Sequence, residues 1–214
     1  MRFVGAVGVD QFAEEALAGL REAGVELEVA RREDTGVAMI MVAADGENQI
    51  VVVPGANATV DAVASGNVLC QLEIPVETVE ANAHAANFLC LNAAPAKPLS
   101  ATLLGHTDLL VVNRYELESL GLDPSGLVAL TLGSEGAVLI ERGQEVARAT
   151  PPQVEAVDGT AAGDAFTACL VVSHLQGRDW EEALRRACAA GAIAASRFGA
   201  QPSLPTAAEV DAVL

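Results

Sequence analysis

The sequence contains almost no lysine and has a large excess of acidic residues. Lys97 is the single lysine among 214 residues, and the formal net charge is −17 at pH 7. A surface of that sign repels nucleic acids and anionic lipids, so the composition excludes proteins that bind either polyanion through a basic patch. A solvated acidic surface is the simplest interpretation of the charge.

Aromatic residues, paired cysteines and long apolar runs are also scarce. Aromatics make up 3% of the chain, which favours close helix–sheet packing over an aromatic-rich sandwich. Cys70, Cys90, Cys169 and Cys188 are widely spaced and form no Cys-x-x-Cys pair, so we interpret them as buried thiols in a reducing cytoplasm. No apolar run reaches the roughly 18 residues of a membrane span. The N-terminus lacks a secretory signal pattern, and we expect a soluble cytoplasmic protein.

Apolar runs alternating with helical patterns predict an α/β fold. Continuous apolar strands separated by helices are typical of a mostly parallel sheet that helices cover on both faces. The chain shows no internal repeat or flexible linker, so we expect a single domain over 1–214. The predicted strands span 68–74, 88–92, 109–113, 127–133 and 137–141, and the predicted helices span 11–23, 76–86, 161–176, 180–198 and 206–214.

The N-terminal part of the chain predicts one amphipathic helix and a small β appendage. The helix at 11–23 places Phe12, Ala16, Leu17 and Leu20 on one face, and a glycine at position 24 ends it. Two short strands follow within 35–53, with the dipeptide Asp45-Gly46 between them, which is typical of a hairpin turn. The residues at 54–57 are interpreted as a loop.

Polar residues and glycine follow several of the predicted strands at their carboxyl ends. Glu73, Asn92 and Asn113 each follow an apolar run, and Glu116 comes three residues after Asn113. Gly133 ends another strand. Ligands of α/β sheets gather at the carboxyl ends of the strands, so this edge is the expected site.

The segment 156–166, with sequence AVDGTAAGDAF, is the strongest local signal for chemistry. Ala161, Ala162 and Gly163 are small, and their N–H groups lie at a predicted helix start, where they favour an anion. Asp164 follows directly and is suited to accept a hydroxyl proton while these amides hold a transferring phosphoryl group. The sequence has no G-x-x-x-x-G-K-[ST] motif, which excludes a P-loop nucleotide site.

At these residues the chain resembles the PfkB-type carbohydrate kinase family, and within it the ribokinases. The stretch at 157–166 is similar to the family's second signature. The segments NRYE at 113–116 and TLGSEG at 131–136 match the family's N-x-x-E motif and its nucleotide-binding strand end. GAQPSLP at 199–205 resembles the tail that helps to enclose a monovalent cation. The resemblance extends over nearly the whole chain, with its motifs in the family order.

The resemblance implies a role for each matched residue. Asp164 would be the catalytic base and a sugar contact, the amides of Ala161, Ala162 and Gly163 would form the anion hole, and Glu73 would touch the sugar. Asn113 and Glu116 would organise Mg²⁺ and phosphate. The implied ATP contacts are Asn113, Thr131, Leu132, Gly133, Ser134, Glu135, Gly136, Gly163, Asp164 and Cys188. The implied K⁺ site comprises Asp158, Thr160, Ala194, Arg197, Gly199 and Ser203.

The chain departs from the family pattern in its N-terminal region and in one crossover. The family's sugar-binding Asn-x-Asp and its Gly-Gly-x-Gly-x-Asn stretch are absent from the sequence, so the family's N-terminal segment is expected to be missing. The connection at 114–126 is short for a crossover between parallel strands, which suggests that a family helix is deleted. Gly159 stands where the family usually has threonine. Loss of the sugar-binding strand would leave ribose loosely held and impair catalysis.

The expected activity is ATP-dependent phosphorylation of D-ribose to D-ribose 5-phosphate, with Mg²⁺ and K⁺ as cofactors. The resemblance also implies a homodimer that pairs through a β lid, of which 35–53 would be a remnant. Two alternatives remain open. The chain could be another sugar or nucleoside kinase of the family, or a nucleotide-binding remnant without catalysis.

Overall fold

A computed structural model describes residues 1–42, 48–121 and 126–214. The described chain divides into two compact units, Met1–Asn87 and Phe88–Leu214. The expected turn at 45–46 and residues 122–125 of the short connection at 114–126 lie outside the described residues. The single-domain expectation stays a prediction.

The first unit contains two separate strand pairs. Strand β1 (Arg2–Val7) pairs in parallel with β2 (Glu26–Arg31), neither of which the sequence predicted. Strands β3 (Val37–Val42) and β4 (Asn48–Val53) pair antiparallel, which confirms the hairpin. The remaining elements are α1 (Gln11–Glu22), a 3₁₀ turn (Gly55–Thr59) where a loop was expected, β5 (Gly66–Cys70) and α2 (Val76–Ala85).

Helix α1 is confirmed, but the buried face differs from the expected one. Asp10 caps the helix by accepting a hydrogen bond from the Ala13 N–H at 3.1 Å. Ala13 and Leu17 are the buried residues of the helix, and they pack with Val7. Phe12 is 48% exposed, so its assignment to the packed face was wrong. Phe12 and Ala13 lie about 100° apart around the helix, and the smaller residue faces the strands.

Strand β5 ends earlier than the sequence predicted. The expected strand reached position 74, whereas β5 stops at Cys70. The Gln71 side-chain oxygen accepts a hydrogen bond from the Glu73 N–H at 2.8 Å, which bends the chain directly after the strand. Glu73 therefore lies in a bend three residues beyond the strand end. A side chain that bonds the backbone two residues on competes with strand pairing.

The second unit is built on one sheet with helices packed against it. Its strands pair in the order β10-β9-β8-β7-β6; β6 to β8 are parallel, and β9 and β10 extend them antiparallel. This confirms the α/β class. The elements are β6 (Ala86–Asn92), α3 (Ala101–Gly105), β7 (Leu109–Asn113), α4 (Arg114–Leu120), β8 (Leu127–Thr131), a 3₁₀ turn (Gly133–Glu135), β9 (Ala137–Glu141), β10 (Gln144–Ala149), α5 (Ala162–Leu175), α6 (Trp180–Ala195), a 3₁₀ turn (Gln201–Ser203) and α7 (Ala207–Asp211).

Helices α5 and α6 form the core of the second unit with the sheet. Leu139 of β9, Leu170 of α5 and Leu184 of α6 are fully buried in one apolar cluster. Burial of such a side chain contributes about 1.5–3 kcal/mol, so this cluster fixes the two helices on the strands. Cys90 and Cys188 belong to the same cluster, as expected for buried thiols. Within the described residues, no helix has the length and apolar character to cross a bilayer.

Candidate active site

The end of β7 and the start of α4 form a reciprocal capping box. The Asn113 side-chain oxygen accepts a hydrogen bond from the Glu116 N–H at 2.8 Å, and the Glu116 Oε2 accepts one from the Asn113 N–H at 2.7 Å. Glu116 is 9% exposed, and burial raises the pKa of its carboxyl, although the Asn113 N–H partly opposes that shift. The motif thus has a structural role, and Glu116 Oε1 is not part of the capping box.

The segment at 131–136 forms a tight turn at the end of β8. Leu132 N–H donates to the Gly136 carbonyl at 2.8 Å, and Gly136 N–H donates to the Gly133 carbonyl at 3.0 Å. Gly136 has a φ of +95°, and a Cβ there would lie 2.0 Å from the Ala149 carbonyl oxygen. Only glycine fits this position. Because Asn113 and Thr131 are register partners, the turn begins beside the capping box.

An ion pair that the sequence analysis did not identify connects these two segments. Arg114 Nη2 donates to Glu135 Oε1 at 2.8 Å, and both side chains are exposed. Both residues lie inside motifs that the sequence had singled out, but the spacing of 21 residues gives no sign that they meet. Exposed pairs of this kind contribute about 0–1 kcal/mol, so this pair adds little to stability.

The start of α5 brings the expected base next to backbone N–H groups. Ala161 precedes the helix and provides no side-chain cap, so the first-turn amides have no side-chain acceptor there. The first bond of the helix runs from the Ala165 N–H to the Ala161 carbonyl at 2.9 Å. The Ala162 N–H is directed at the Gly159 carbonyl at 3.2 Å, so this member of the expected anion hole already has an acceptor. Gly163 lies in the exposed first turn.

Asp164 is in the first turn of α5, with its carboxyl only partly surrounded by protein. The residue is exposed, yet neighbouring atoms desolvate the carboxyl, and this desolvation raises its pKa. A raised pKa makes the carboxylate a stronger base. The arrangement combines a proton acceptor with donors for an anion, which is what phosphoryl transfer to a hydroxyl needs.

A polar network holds the segment before α5. Asp158 Oδ1 accepts from the Thr160 N–H at 3.0 Å and from the Thr160 hydroxyl, and Asp158 Oδ2 accepts from the Gly199 N–H at 2.9 Å. The Thr160 hydroxyl, followed by the Gly199 and Thr160 N–H groups, lowers the pKa of Asp158. This network joins three residues of the expected K⁺ site.

The other expected K⁺ residues lie in and after the last turn of α6. Ala194 is fully buried, and its carbonyl accepts from the Arg197 N–H at 3.1 Å. Ser203 is also fully buried, and its hydroxyl donates to the Ala200 carbonyl at 2.7 Å. The Arg197 side chain pairs with Glu209. The atoms in this region that could coordinate a metal ion are mainly backbone carbonyl, hydroxyl and carboxylate oxygens. Such oxygen ligands suit a hard cation.

The available oxygen donors also suit Mg²⁺ bound together with phosphate. Among the described residues, no group of three His, Cys, Asp or Glu side chains forms a metal cage. Mg²⁺ usually keeps several waters and uses one or two carboxylates plus substrate phosphates. Glu116 offers one such carboxylate, which fits that mode of binding.

Two further expected site residues, Cys188 and Glu73, lie outside the segments described above. Cys188 is 5% exposed within the core cluster, and burial raises the pKa of its thiol to about 12. Its sulfur lies 3.7 Å from the Ala149 carbonyl, so it presents little surface to a nucleotide. Glu73 is exposed and belongs to the first unit, whereas the segments described above belong to the second.

Comparisons of the sequence and of the fold with known proteins all point to one protein family. A model of the pfkB family carbohydrate kinases matches residues 1–207. A ribokinase from Schizosaccharomyces pombe is 36% identical over 247 aligned positions that cover 97% of this chain and 77% of the relative. A ribokinase from Bacillus subtilis is also 36% identical, with 99% of this chain and 80% of the relative covered. The solved structure of Arabidopsis thaliana ribokinase complexed with ribose and ATP has a TM-score of 0.88 at 30% identity, covering 99% of this chain and 81% of that one.

Proposed function

The chain belongs to the pfkB family of carbohydrate kinases, and we propose that it transfers the γ-phosphoryl group of ATP to the 5-hydroxyl of D-ribose. Membership makes it an ATP-dependent carbohydrate kinase. The choice of ribose is supported by the ribokinase relatives, which are 36% identical. One observation of this structure carries the chemical part of the proposal. Asp164, with its raised pKa, lies in the uncapped first turn of α5.

In the proposed reaction, Asp164 accepts the proton of the sugar hydroxyl as that oxygen attacks the γ-phosphorus. The bond from the γ-phosphorus to the β,γ-bridging oxygen breaks, and ADP leaves with the electron pair of that bond. The N–H groups at the start of α5, with Gly163 foremost, donate to the oxygens of the phosphoryl group in transfer. Asn113 and Glu116 orient the phosphates at the end of β7. Bound Mg²⁺ would neutralise charge on the β- and γ-phosphates.

We also propose a K⁺ site around the Asp158 network. The site would be formed by Asp158, Thr160, Ala194, Arg197, Gly199 and Ser203. Its location next to the segment before α5 means that a bound cation would fix the backbone from which the anion hole begins. Omission of K⁺ is therefore expected to lower turnover more than it lowers affinity for ribose.

A homodimer through the β3–β4 hairpin is the proposed assembly. In the hairpin, Met39 pairs with Val51 and Val37 pairs with Val53, so these four apolar side chains share one face. All four are exposed, with Met39 at 53%. A second copy that covers this face would bury apolar surface that a monomer leaves in water. The four free cysteines favour a reducing compartment, and we place the protein in the cytoplasm.

The proposed activity is tested by ribose-dependent ADP release from the purified 214-residue chain with ATP, Mg²⁺ and K⁺. Asp164→Asn is expected to lower turnover by roughly 10²–10⁴, the usual contribution of a positioned base. Asp179→Asn is the matched control, because Asp179 caps the start of the neighbouring helix α6 and asparagine caps equally well. The control should keep the turnover of the unchanged chain.

Each other outcome has a definite meaning. Near-normal turnover in Asp164→Asn would remove Asp164 as the base. A folded chain that binds ATP but releases no ADP with ribose would contradict the proposed reaction. Release with 2-deoxyribose, fructose or a nucleoside instead would identify another kinase of the family. No release with any acceptor would indicate a nucleotide-binding protein without catalysis.

A further inference from the structure

We propose that Gly191, in the interior of α6, is a positioning residue for the first turn of α5. Through this contact, α6 sets the orientation of the Gly163 N–H and the place of Asp164. The inference rests on the proposed role of Asp164 as the base. It adds a residue that contacts neither substrate in the proposed reaction and that acts only through a neighbouring backbone.

The evidence is the close approach of the two helices at this point. A Cβ atom added to Gly191 would lie 3.1 Å from the Ala162 carbonyl oxygen and 3.6 Å from the Cβ of Phe166. The first of these distances is shorter than an ordinary contact between a methyl group and a carbonyl oxygen. Any other residue at 191 would therefore have to move the start of α5 by a few tenths of an ångström, or move α6 away from it.

A displaced Ala162 carbonyl moves the expected anion hole directly. The Ala162 C=O and the Gly163 N–H belong to the same planar peptide unit, so rotation of one rotates the other. Asp164 is the next residue along the chain. Displacement of this oxygen therefore moves both an N–H donor of the anion hole and the base.

The same helix also holds the segment that leads into α5. The Ala195 carbonyl in the last turn of α6 accepts hydrogen bonds from the Val157 N–H at 2.8 Å and the Asp158 N–H at 3.1 Å. The Gly199 N–H, just beyond the helix, donates to Asp158. Helix α6 therefore holds the chain before the anion hole through Ala195 and approaches the anion hole itself, at Ala162, through Gly191.

Local stability does not explain a glycine at this position. A glycine in a helix interior is less stable than alanine, and the neighbours Ala189, Ala190 and Ala192 are all alanine. Gly191 has ordinary helical backbone angles and is not among the glycines with a positive φ. The remaining reason for the missing side chain is the space that Ala162 needs.

The test is a graded series at position 191 with a matched glycine elsewhere. Gly191→Ala and Gly191→Val are compared with Gly105→Ala, because Gly105 is also in a helix and a Cβ there meets nothing within 4 Å. We expect Gly191→Ala to melt cooperatively within a few degrees of the unchanged chain while kcat falls by about tenfold or more, since small misplacements at a reacting centre are costly. Gly191→Val should lose more, and Gly105→Ala should keep full kcat.

Measurements other than the turnover rate distinguish a positioning role of Gly191 from a general loss of structure. In Gly191→Ala, kcat should fall more than the affinity for ATP, and the acidic limb of the pH profile of kcat/KM should shift because the surroundings of Asp164 have changed. An unchanged kcat and pH profile, or an equal loss in Gly105→Ala, would overturn the proposal.

The positioning role can also be tested without any turnover. Amide resonances of Gly163, Asp164 and Ala165 are expected to shift in Gly191→Ala and to stay in place in Gly105→Ala. Unshifted resonances would overturn the positioning role even if the kinase is active. A chain that shows the shifts but releases no ADP would support the positioning role and contradict the proposed reaction instead.

Discussion

At the scale of single residues, the surroundings that make Asp164 a stronger base also lower the stability of the folded chain when its carboxyl is ionised. Partial desolvation raises the pKa of its carboxyl, so the folded chain binds this proton more tightly than the unfolded chain. Between the ordinary and the raised pKa the folded state therefore carries more protons. In that window the contribution of Asp164 makes stability fall as the pH rises.

This conflict predicts a stabilising substitution in the candidate site. Asp164→Asn removes the ionisation, so the variant should melt at a higher temperature than the unchanged chain at pH 7. The difference should shrink as the pH is lowered towards the ordinary carboxyl range. Thermal unfolding of both proteins from pH 7 down to about pH 4, close to the ordinary carboxyl pKa of 3.8, measures it. A difference that does not change with pH would show that desolvation of the carboxylate is not its cause.

Residues whose role depends on chain order could be predicted from the sequence, and residues whose role depends on distance could not. Asn113, Glu116 and Asp164 follow or begin regular elements, so the elements alone placed them. Gly191 matters because two helices approach closely, and no periodicity reports that spacing. Cys188 was assigned to the nucleotide by its position in the motif order, whereas the structure buries its thiol in the core.

At the scale of elements, two helices of the described part of the chain begin with capping boxes of the same design. Asn113 and Glu116 begin α4, and Thr206 and Glu209 begin α7. In each box the first side chain accepts from the third helical N–H, and the glutamate returns a bond to the first residue. Only the box at α4 lies in the segment proposed to handle Mg²⁺ and phosphate.

The two boxes allow the structural and the functional role of Asn113 to be separated. Asn113→Ala and Thr206→Ala should each cost about 1 kcal/mol of stability, the usual loss for a helix cap. Only Asn113→Ala is expected to weaken Mg²⁺-dependent ATP binding as well. Denaturant unfolding measures the first effect, and calorimetric titration of ATP measures the second. Equal ATP affinity in the two variants would reduce the N-x-x-E motif to a cap.

In the second unit, strand assignments from the sequence succeeded where apolar runs were continuous, and the strand that follows a two-residue turn was missed. Strands β6, β7 and β9 have the bounds or nearly the bounds that the pattern predicted. Strand β10 was missed because its turn uses Arg142 and Gly143, both with positive φ of 50° and 74°. Two such residues between paired strands form a type I′ hairpin, which usually carries Asn-Gly or Asp-Gly.

At the scale of the whole molecule, the exposed apolar face of the hairpin makes the proposed dimer testable. Met39→Glu places a charge on that face, and it should convert a dimer into a monomer while leaving ribose-dependent ADP release per chain of the same order. Glu26→Gln, on the exposed part of β2, is the control for a changed charge. Sedimentation over a range of protein concentrations measures the assembly. A dimer that persists in Met39→Glu, or an unchanged chain that is monomeric throughout, would contradict the hairpin interface.

The fold class could be predicted from composition and from the alternation of helical and apolar segments, whereas the division into two compact units could not. Alanine-rich helices alternating with apolar strands indicated an α/β protein before any motif was considered. The two compact units meet in sequence at Asn87 and Phe88, inside the observed strand β6 and directly before the strand that the pattern predicts at 88–92. Contacts that are distant in sequence decide such a division, and hydropathy along the chain does not contain them.

The turn at the end of β8 has a consequence for inheritance. Every missense change of a glycine codon introduces a side chain, and at Gly136 the first atom of any side chain would overlap the Ala149 carbonyl. No substitution at residue 136 is therefore neutral for the fold. One could be tolerated only after changes that move the backbone of the neighbouring strand at Ala149. Among descendants of this gene that still fold in this way, the codon for residue 136 should change only silently.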